Sequence, residues 1–301
     1  MTLNEADLNA ICLCAISAAN QVGQWISKVA HLRHEVLRKP AGDTLASQIF
    51  TEVDIQAQQM ILASLAPVST HFDLGLLAEE SPDNQSRFEK DFFWCIDPLD
   101  GSLPFTQGKP GYAVSIALVS RAGIAQIGVI YDPREKTLYH AVRGQGLFRN
   151  GEVWIPRPAG VSPNFDFTVI ADQSFRSHPC YENTLDKLRQ VSMHLGAKSL
   201  VIQEQDGSVL NACLVLERSP ACYFKFPKAN LGGGSVWDYA ATSCLFFEAC
   251  ATVVDMSDHE LNLNPTGSTY LNHCGVLFAS DPQIAQVISR QRIGAIGSPT
   301  F

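Results

Sequence analysis

The chain has 301 residues, 46% of them hydrophobic and 17% charged, with a formal net charge of -8. That balance excludes a disordered chain and supplies apolar material for one large domain or two closely packed ones; with no cluster of Lys and Arg it also excludes a surface for nucleic-acid polymers. The nine cysteines, an odd number without a Cys-x-x-Cys pair, fit free thiols in a reducing cytoplasm and not a disulfide framework or a zinc site.

Apolar residues recur at helical spacing from about Leu3 to Ala30 (Leu8, Ile11, Cys12, Ala15, Ile16, Ala19), which predicts a long amphipathic helix. Its most apolar part, Ile11 to Ala19, is too short to span a bilayer and follows Glu5 and Asp7, so neither a signal peptide nor a membrane segment is expected. After the basic stretch His31 to Lys39 and the breakers Pro40 and Gly42, a second helix is expected to start with Thr51 as N-cap and Asp54 at the third helical position of a capping box. It should end near Leu65, before Pro67. Leu74 to Ala78 reads as a strand ending in Glu79-Glu80-Ser81, and Ser81 to Lys90 as a polar loop.

The central stretch is Trp94-Cys-Ile-Asp-Pro-Leu-Asp-Gly-Ser-Leu-Pro-Phe105. An apolar strand from Phe92 to Ile96 ends abruptly in Asp97, Pro98, Asp100 and Gly101. A continuing strand would send carboxylates three apart to opposite faces, so a turn at Pro98 is expected to bring Asp97 and Asp100 together, where they would need a cation. Gly101 permits close backbone approach, and a helix opening at Ser102 would aim free N–H groups at a phosphate.

Tyr112 to Val119, Ile124 to Tyr131 and Thr137 to Val142 read as three strands of a meander, with turns at Arg121-Ala122-Gly123, Asp132-Pro133, Gly144-Gln145-Gly146 and Asn150-Gly151. Residues 156 to 166 are rich in Pro, Gly and Ser and mark a boundary, giving an α+β half over 1–155 and an α/β half over 156–301. The second half is expected to hold a strand Thr168 to Ala171, a helix Tyr181 to His194 and a strand Lys198 to Ile202. A helix Gly207 to Glu217 follows, with Asp206 or Ser208 near its start, and then a strand Ala221 to Phe226. Asp281 should cap a final helix, followed by a frayed tail after Gly294.

Asp97-Pro98-Leu99-Asp100-Gly101-Ser102 resembles the first signature of the inositol monophosphatase superfamily, and Trp237-Asp238-Tyr239-Ala240-Ala241 resembles its second. Thr51-Glu52-Val53-Asp54 and Glu79-Glu80-Ser81 resemble two further segments in the right order. The resemblance implies a layered α/β (α+β) sandwich with alternating helix and sheet layers, and a magnesium-dependent phosphomonoesterase. It implies two or three Mg2+ ions, lithium as an inhibitor, a small phosphorylated substrate, no membrane, and a monomer or homodimer. By the same resemblance Glu79, Asp97, the Leu99 carbonyl, Asp100 and Asp238 become metal ligands, with Glu80 a secondary candidate, and Glu79 is also counted with the catalytic groups. Asp54 with Ser102 becomes the pair that orients an attacking water, and the Gly101 and Ser102 N–H groups hold phosphate oxygens. The residue-level reading of Asp54 as a carboxylate favoured at a helix start stands beside this one. Glu248-Ala249-Cys250-Ala251 departs from the Glu-Ala-Gly-Gly of many relatives, which leaves the shape of that turn open and removes no metal ligand.

Two branches compete for the substrate. Tyr223-Phe224-Lys225-Phe226-Pro227 resembles the Tyr-x-Arg-x-Pro segment of the 3'(2'),5'-bisphosphate nucleotidases, and Lys225 there could meet a second phosphate or simply snorkel from a strand. Gly108-Lys109-Pro110 and Asp132-Pro133 resemble the inositol phosphatase branch instead. The nucleotidase is the preferred expectation, with inositol-1-monophosphatase or a related polyol phosphatase as the alternative. A non-catalytic, metal-dependent phosphate-binding protein is the alternative of another class, opposed by an intact ligand set.

Overall fold

The computed structural model describes residues 2–32, 34, 36–38, 49–156, 164–205, 207–232, 234–291 and 293. The first helix, α1, spans Glu5–Val29, and Asn4 closes a reciprocal capping box with Asp7 at its start. Strands β1 (Val36–Arg38) and β2 (Ile49–Thr51) pair antiparallel and lead into α2, Glu52–His71. That helix passes through Pro67 and does not stop before it. Pro67 is exposed, and the next turn is tied back by hydroxyls: Ser69 donates to the Leu65 carbonyl (2.7 Å) and Thr70 to the Ala66 carbonyl (3.0 Å). Proline therefore interrupts the ladder only where water can reach the freed carbonyl.

Next come β3 (Gly75–Ala78), a short helix α3 (Ser86–Glu89) where a polar loop was expected, β4 (Phe92–Asp100) and α4 (Ser102–Thr106). Strands β5 (Ala113–Ser120), β6 (Ala125–Asp132), β7 (Thr137–Val142), β8 (Leu147–Arg149) and β9 (Glu152–Val153) then run as the expected meander. Among the described residues they form a sheet of order β3-β4-β5-β6-β7-β8-β9, antiparallel except for the parallel β3–β4 pair.

The rest of the chain gives β10 (Asp166–Ala171), a single-turn segment Gln173–Ser177, α5 (Tyr181–His194), β11 (Ser199–Glu204), α6 (Ser208–Glu217) and β12 (Ala221–Lys225). It closes with α7 (Val236–Glu248), β13 (Thr252–Val254), β14 (Val276–Ala279) and α8 (Pro282–Arg290), the last capped by Asp281. The second sheet runs β11-β10-β12-β14-β13, with β10 parallel to both its neighbours. Asp206, the boundary residues 157–163 and the tail beyond Gly294 lie outside the described residues.

The period of two along the strands decides the layering. On β4, Trp94 and Ile96 face α1 and α2, whereas Phe93 and Cys95 face the core built on α6 and α7. On β12, Ala221 and Tyr223 face that same middle core, and Cys222 and Phe224 face a third core under α5 and α8. Each sheet is therefore apolar on both faces and lies between helix layers, so the chain is an α–β–α–β–α sandwich. Among the described residues no helix is long and apolar enough to cross a membrane.

Candidate metal and phosphate site

The pairing of β4 with β5 shows how the two signature aspartates converge. Asp97 sits opposite Ser115 and Asp100 opposite Ala113, so three steps on β4 match two on β5. This is a β-bulge, and it corrects the expected turn at Pro98: the strand continues, and one extra residue flips the alternation so that both carboxylates share a face. Counting back from Asp97 through Cys95 and Phe93, that face is the one toward α6 and α7.

Helix α7 brings the third acid. Asp238 occupies the third position of its first turn and accepts from the Ser235 N–H at 2.8 Å, so helix capping fixes its direction. One oxygen from each of Asp97, Asp100 and Asp238 lies within 4.8 Å of the others. Asp100 is further held by α6, accepting from the Val209 N–H (2.8 Å) and the Ser208 N–H (3.3 Å). Two glycines make this crossing possible: a Cβ on Gly101 would lie 2.1 Å from the Gly111 carbonyl oxygen and one on Gly207 only 1.9 Å from the same atom, and both have positive φ.

Burial pushes the Asp97 carboxyl well above the ordinary carboxylate range, reinforced by the charges of Glu79, Asp100 and Asp238. Asp100 is pushed up to about 8 by burial and by Asp238, against the opposing Val209 N–H and the charge of Lys225. Asp238 rises to about 6, by burial first and then by Glu79. Glu79 directly follows β3, and its charge is among the causes that raise Asp97 and Asp238. An all-oxygen set of this kind fits a hard divalent cation such as magnesium, which would hold every member ionised.

Asp54 belongs to the same place by a different route. Its Oδ2 accepts from the Thr51 N–H and the Thr51 hydroxyl, both at 2.7 Å, which completes the capping box of α2; its Oδ1 accepts from the Ser102 hydroxyl at 2.6 Å. The helix-start reading of Asp54 is met by one oxygen, and the other is hydrogen-bonded to the residue with which the resemblance pairs it. Burial pushes it up to about 6 against the lowering effect of those hydroxyl donors. The Ser102 hydroxyl also lies 3.1 Å from the Leu99 carbonyl.

A cavity of about 660 Å³ opens beside these groups, its lining including Glu79, Asp97, Leu99, Asp100, Gly101, Ser102 and Asp238. Glu80 is not among the lining residues; its N–H is given to the Gln58 side chain at 2.8 Å. The lining also includes Phe175, His178, Phe224, Phe226 and Lys225. Lys225 does not snorkel outward: its ammonium donates to the Ser208 hydroxyl at 2.8 Å and pairs with Asp172 at 3.2 Å, with the lysine side chain 18% exposed. Asp172 and Ser208 escaped the sequence reading. The available signal was an acid one residue beyond a predicted strand, at the carboxyl end where open parallel sheets bind ligands. The aromatic cluster gave no periodic signal, because it is assembled from β12 and the segment after β10.

The chain matches the profile of the inositol monophosphatase family over residues 7–293. It is 32% identical over 229 residues to the 3'(2'),5'-bisphosphate nucleotidase CysQ of Salmonella typhimurium, covering 74% of this chain and 82% of that protein. To inositol monophosphatase 2 of Homo sapiens it is 27% identical over 279 residues, covering 92% and 88%. Among solved structures, an IMPase/NADP phosphatase complexed with Mg2+ and phosphate shares the fold at a TM-score of 0.71 and 18% identity, with 97% of each chain covered.

Proposed function

The chain belongs to the inositol monophosphatase family, a family of metal-dependent phosphatases, and from that premise we propose that it is a magnesium-dependent phosphomonoesterase whose preferred substrate is a 3'(2'),5'-bisphosphate nucleotide. The observation that carries the reaction class is the convergence of Asp97, Asp100 and Asp238 beside the Asp54–Ser102 pair. Glu79, Asp97, the Leu99 carbonyl, Asp100 and Asp238 would hold the magnesium ions, two or three in number. When bound, the ions supply charge neutralisation for the phosphate and Lewis acidity for the attacking water.

The remaining chemistry belongs to the chain's own groups. The Ser102 hydroxyl donates its hydrogen bond to Asp54, which leaves its lone pairs free to accept a hydrogen bond from water; as the water attacks, its proton passes to the Ser102 oxygen while the Ser102 proton passes to Asp54, a two-member relay that orients the nucleophile and ends with Asp54 protonated. With its affinity raised to about 6, Asp54 is a better acceptor near neutral pH than an exposed aspartate. The Gly101 and Ser102 N–H groups are assigned to the non-bridging phosphate oxygens. No covalent phospho-enzyme is needed.

Substrate choice rests on the aromatic part of the cavity wall and on Lys225. Phe226 lies 4.8 Å from His178 and 5.1 Å from Phe224, ring centre to ring centre, which offers a planar base an aromatic wall beside the Lys225 ammonium. The similarity to CysQ supports the same branch. Replacing Lys225 by Met should raise KM for 3'-phosphoadenosine 5'-phosphate about tenfold, as loss of one charge-assisted hydrogen bond would, and leave KM for inositol 1-phosphate nearly unchanged. Equal effects on both substrates would defeat the nucleotidase reading. One observation favours the polyol phosphatase instead: Asp172 cancels the charge of Lys225, and a carboxylate–ammonium pair suits hydroxyl groups as well as a second phosphate.

A further inference from the structure

Lys225 carries its charge on a flexible stem beside a cluster of buried acids, which raises the question of what keeps it from collapsing onto them. Its ammonium has three donors. One goes to the Ser208 hydroxyl at 2.8 Å and one to Asp172 at 3.2 Å, which leaves a third. The pairing with Asp172 follows from sheet register. β10 and β12 are parallel, with Thr168 opposite Ala221 and Ile170 opposite Tyr223, so two residues further on Asp172 stands opposite Lys225 on the same face.

Asp172 is itself fixed. Its Oδ1 accepts from the Tyr223 hydroxyl and from the Asn211 amide, each at 3.1 Å, while its Oδ2 faces Lys225. The Asn211 amide nitrogen also donates to the Gln205 carbonyl at 2.9 Å, and its own oxygen is buried without a hydrogen-bond partner. Turning the amide over would not satisfy that oxygen, because it would then face the Asp172 carboxylate and the Gln205 carbonyl, which are both acceptors. The amide orientation is thus set by Asp172, and a polar atom is left unpaired to keep it so.

We propose that Asp172 is a positioning residue that holds the Lys225 ammonium on the Ser208 hydroxyl, at the border of the cluster of Asp97, Asp100 and Asp238 and not within it, so that the acids stay open to a divalent cation and one lysine donor stays free for the substrate. Without the tether, the acids whose charge Lys225 already feels, Asp100 and Asp238, would draw the lysine in, where it would compete with the cation. The inference rests on the reading of Asp97, Asp100 and Asp238 as metal ligands.

The test is Mn2+ binding by isothermal titration calorimetry on the wild-type protein, Asp172→Asn, Lys225→Met and the double variant, each first checked for a wild-type circular dichroism spectrum. Asp172→Asn is expected to weaken Mn2+ binding at least about fivefold, the low end of ordinary coupling between sites. Lys225→Met should bind at least as tightly as the wild type, and adding it to Asp172→Asn should restore the affinity. A wild-type protein that binds no Mn2+ would overturn the metal reading and this inference together. Wild-type affinity in Asp172→Asn, or a loss that Lys225→Met does not restore, would overturn the tether alone. A second readout follows phosphate release: Asp172→Asn should raise KM more than it lowers kcat, because the lysine acts on binding, and the reverse split would count against it.

Discussion

Asp54 and Asp100 are both buried aspartates, Asp100 lining the cavity and Asp54 one hydrogen bond behind it through Ser102, and both hold protons more tightly than exposed acids do, but for different reasons. Asp54 has a hydroxyl or N–H donor for each oxygen, and among the described residues it is not a member of the acid cluster, although the charge of Glu79 reaches it. Asp100 has backbone donors too, yet it also faces Asp97 and Asp238 within 4.8 Å. The first is a carboxylate whose needs are met by the protein; the second belongs to a group whose needs are not. Only the second kind calls for a cation, and the contrast is the physical ground for proposing a proton relay at one aspartate and a metal ligand at the other.

The sharpest way to break this contrast is to neutralise one acid in each group. Asp97→Asn should lower phosphate release by about a thousandfold or more, since several kcal/mol of charge stabilisation would be lost, while the circular dichroism spectrum stays that of the folded protein. Normal turnover in that variant would remove the cluster from the reaction. Ser102→Ala should lower kcat by about a hundredfold, within the range for general acid–base groups, and leave Mn2+ binding intact. Asp54→Asn should do the same and in addition cost about 1 kcal/mol of stability through the weakened capping box of α2, a difference visible as a lower Tm than that of Ser102→Ala.

The pH dependence of stability sharpens the comparison further. Asp54, Asp97, Asp100 and Asp238 all have folded-state proton affinities above their unfolded ones, so the metal-free folded state binds more protons than the unfolded state. Their contribution is fully present below about pH 4 and is lost as pH rises through the folded values, which reach about 8 at Asp100. In chelator, Tm should therefore fall between pH 5 and pH 8.5, and added Mg2+ should flatten the fall by holding the acids ionised. A metal-free Tm that climbs across that range would show that the acids do not repel one another.

How much of this was legible in the sequence depended on whether the cause was local. The capping box of Thr51 and Asp54, the Asp281 cap and the apolar strands β4 to β7 are written within a few residues, and the structure has them where the sequence points. The convergence of Asp97 with Asp100 was legible, but its means was not: a bulge is a mismatch between two strands, and only the pairing with β5 reveals it. Asp172 stayed hidden for the same reason, because its partner Lys225 is brought alongside by a parallel pairing across more than fifty residues of chain. Pro67 misled because a breaker's effect depends on exposure, which a sequence does not state. The turn at Ala249-Cys250-Ala251 keeps a left-handed residue without glycine, with Cys250 at φ 53°. Cys250→Gly should accordingly raise stability by up to about 1 kcal/mol, the smallest effect expected here, read as a modest increase in Tm with unchanged kcat.

Phosphate release from 3'-phosphoadenosine 5'-phosphate and inositol 1-phosphate, side by side in Mg2+ with lithium and chelator controls, tests the central claim most directly. The expected result is hydrolysis that prefers the nucleotide, slows in lithium and stops in chelator. Release from neither substrate in Mg2+, or release that persists after chelation, would contradict a metal-dependent phosphatase built on these carboxylates.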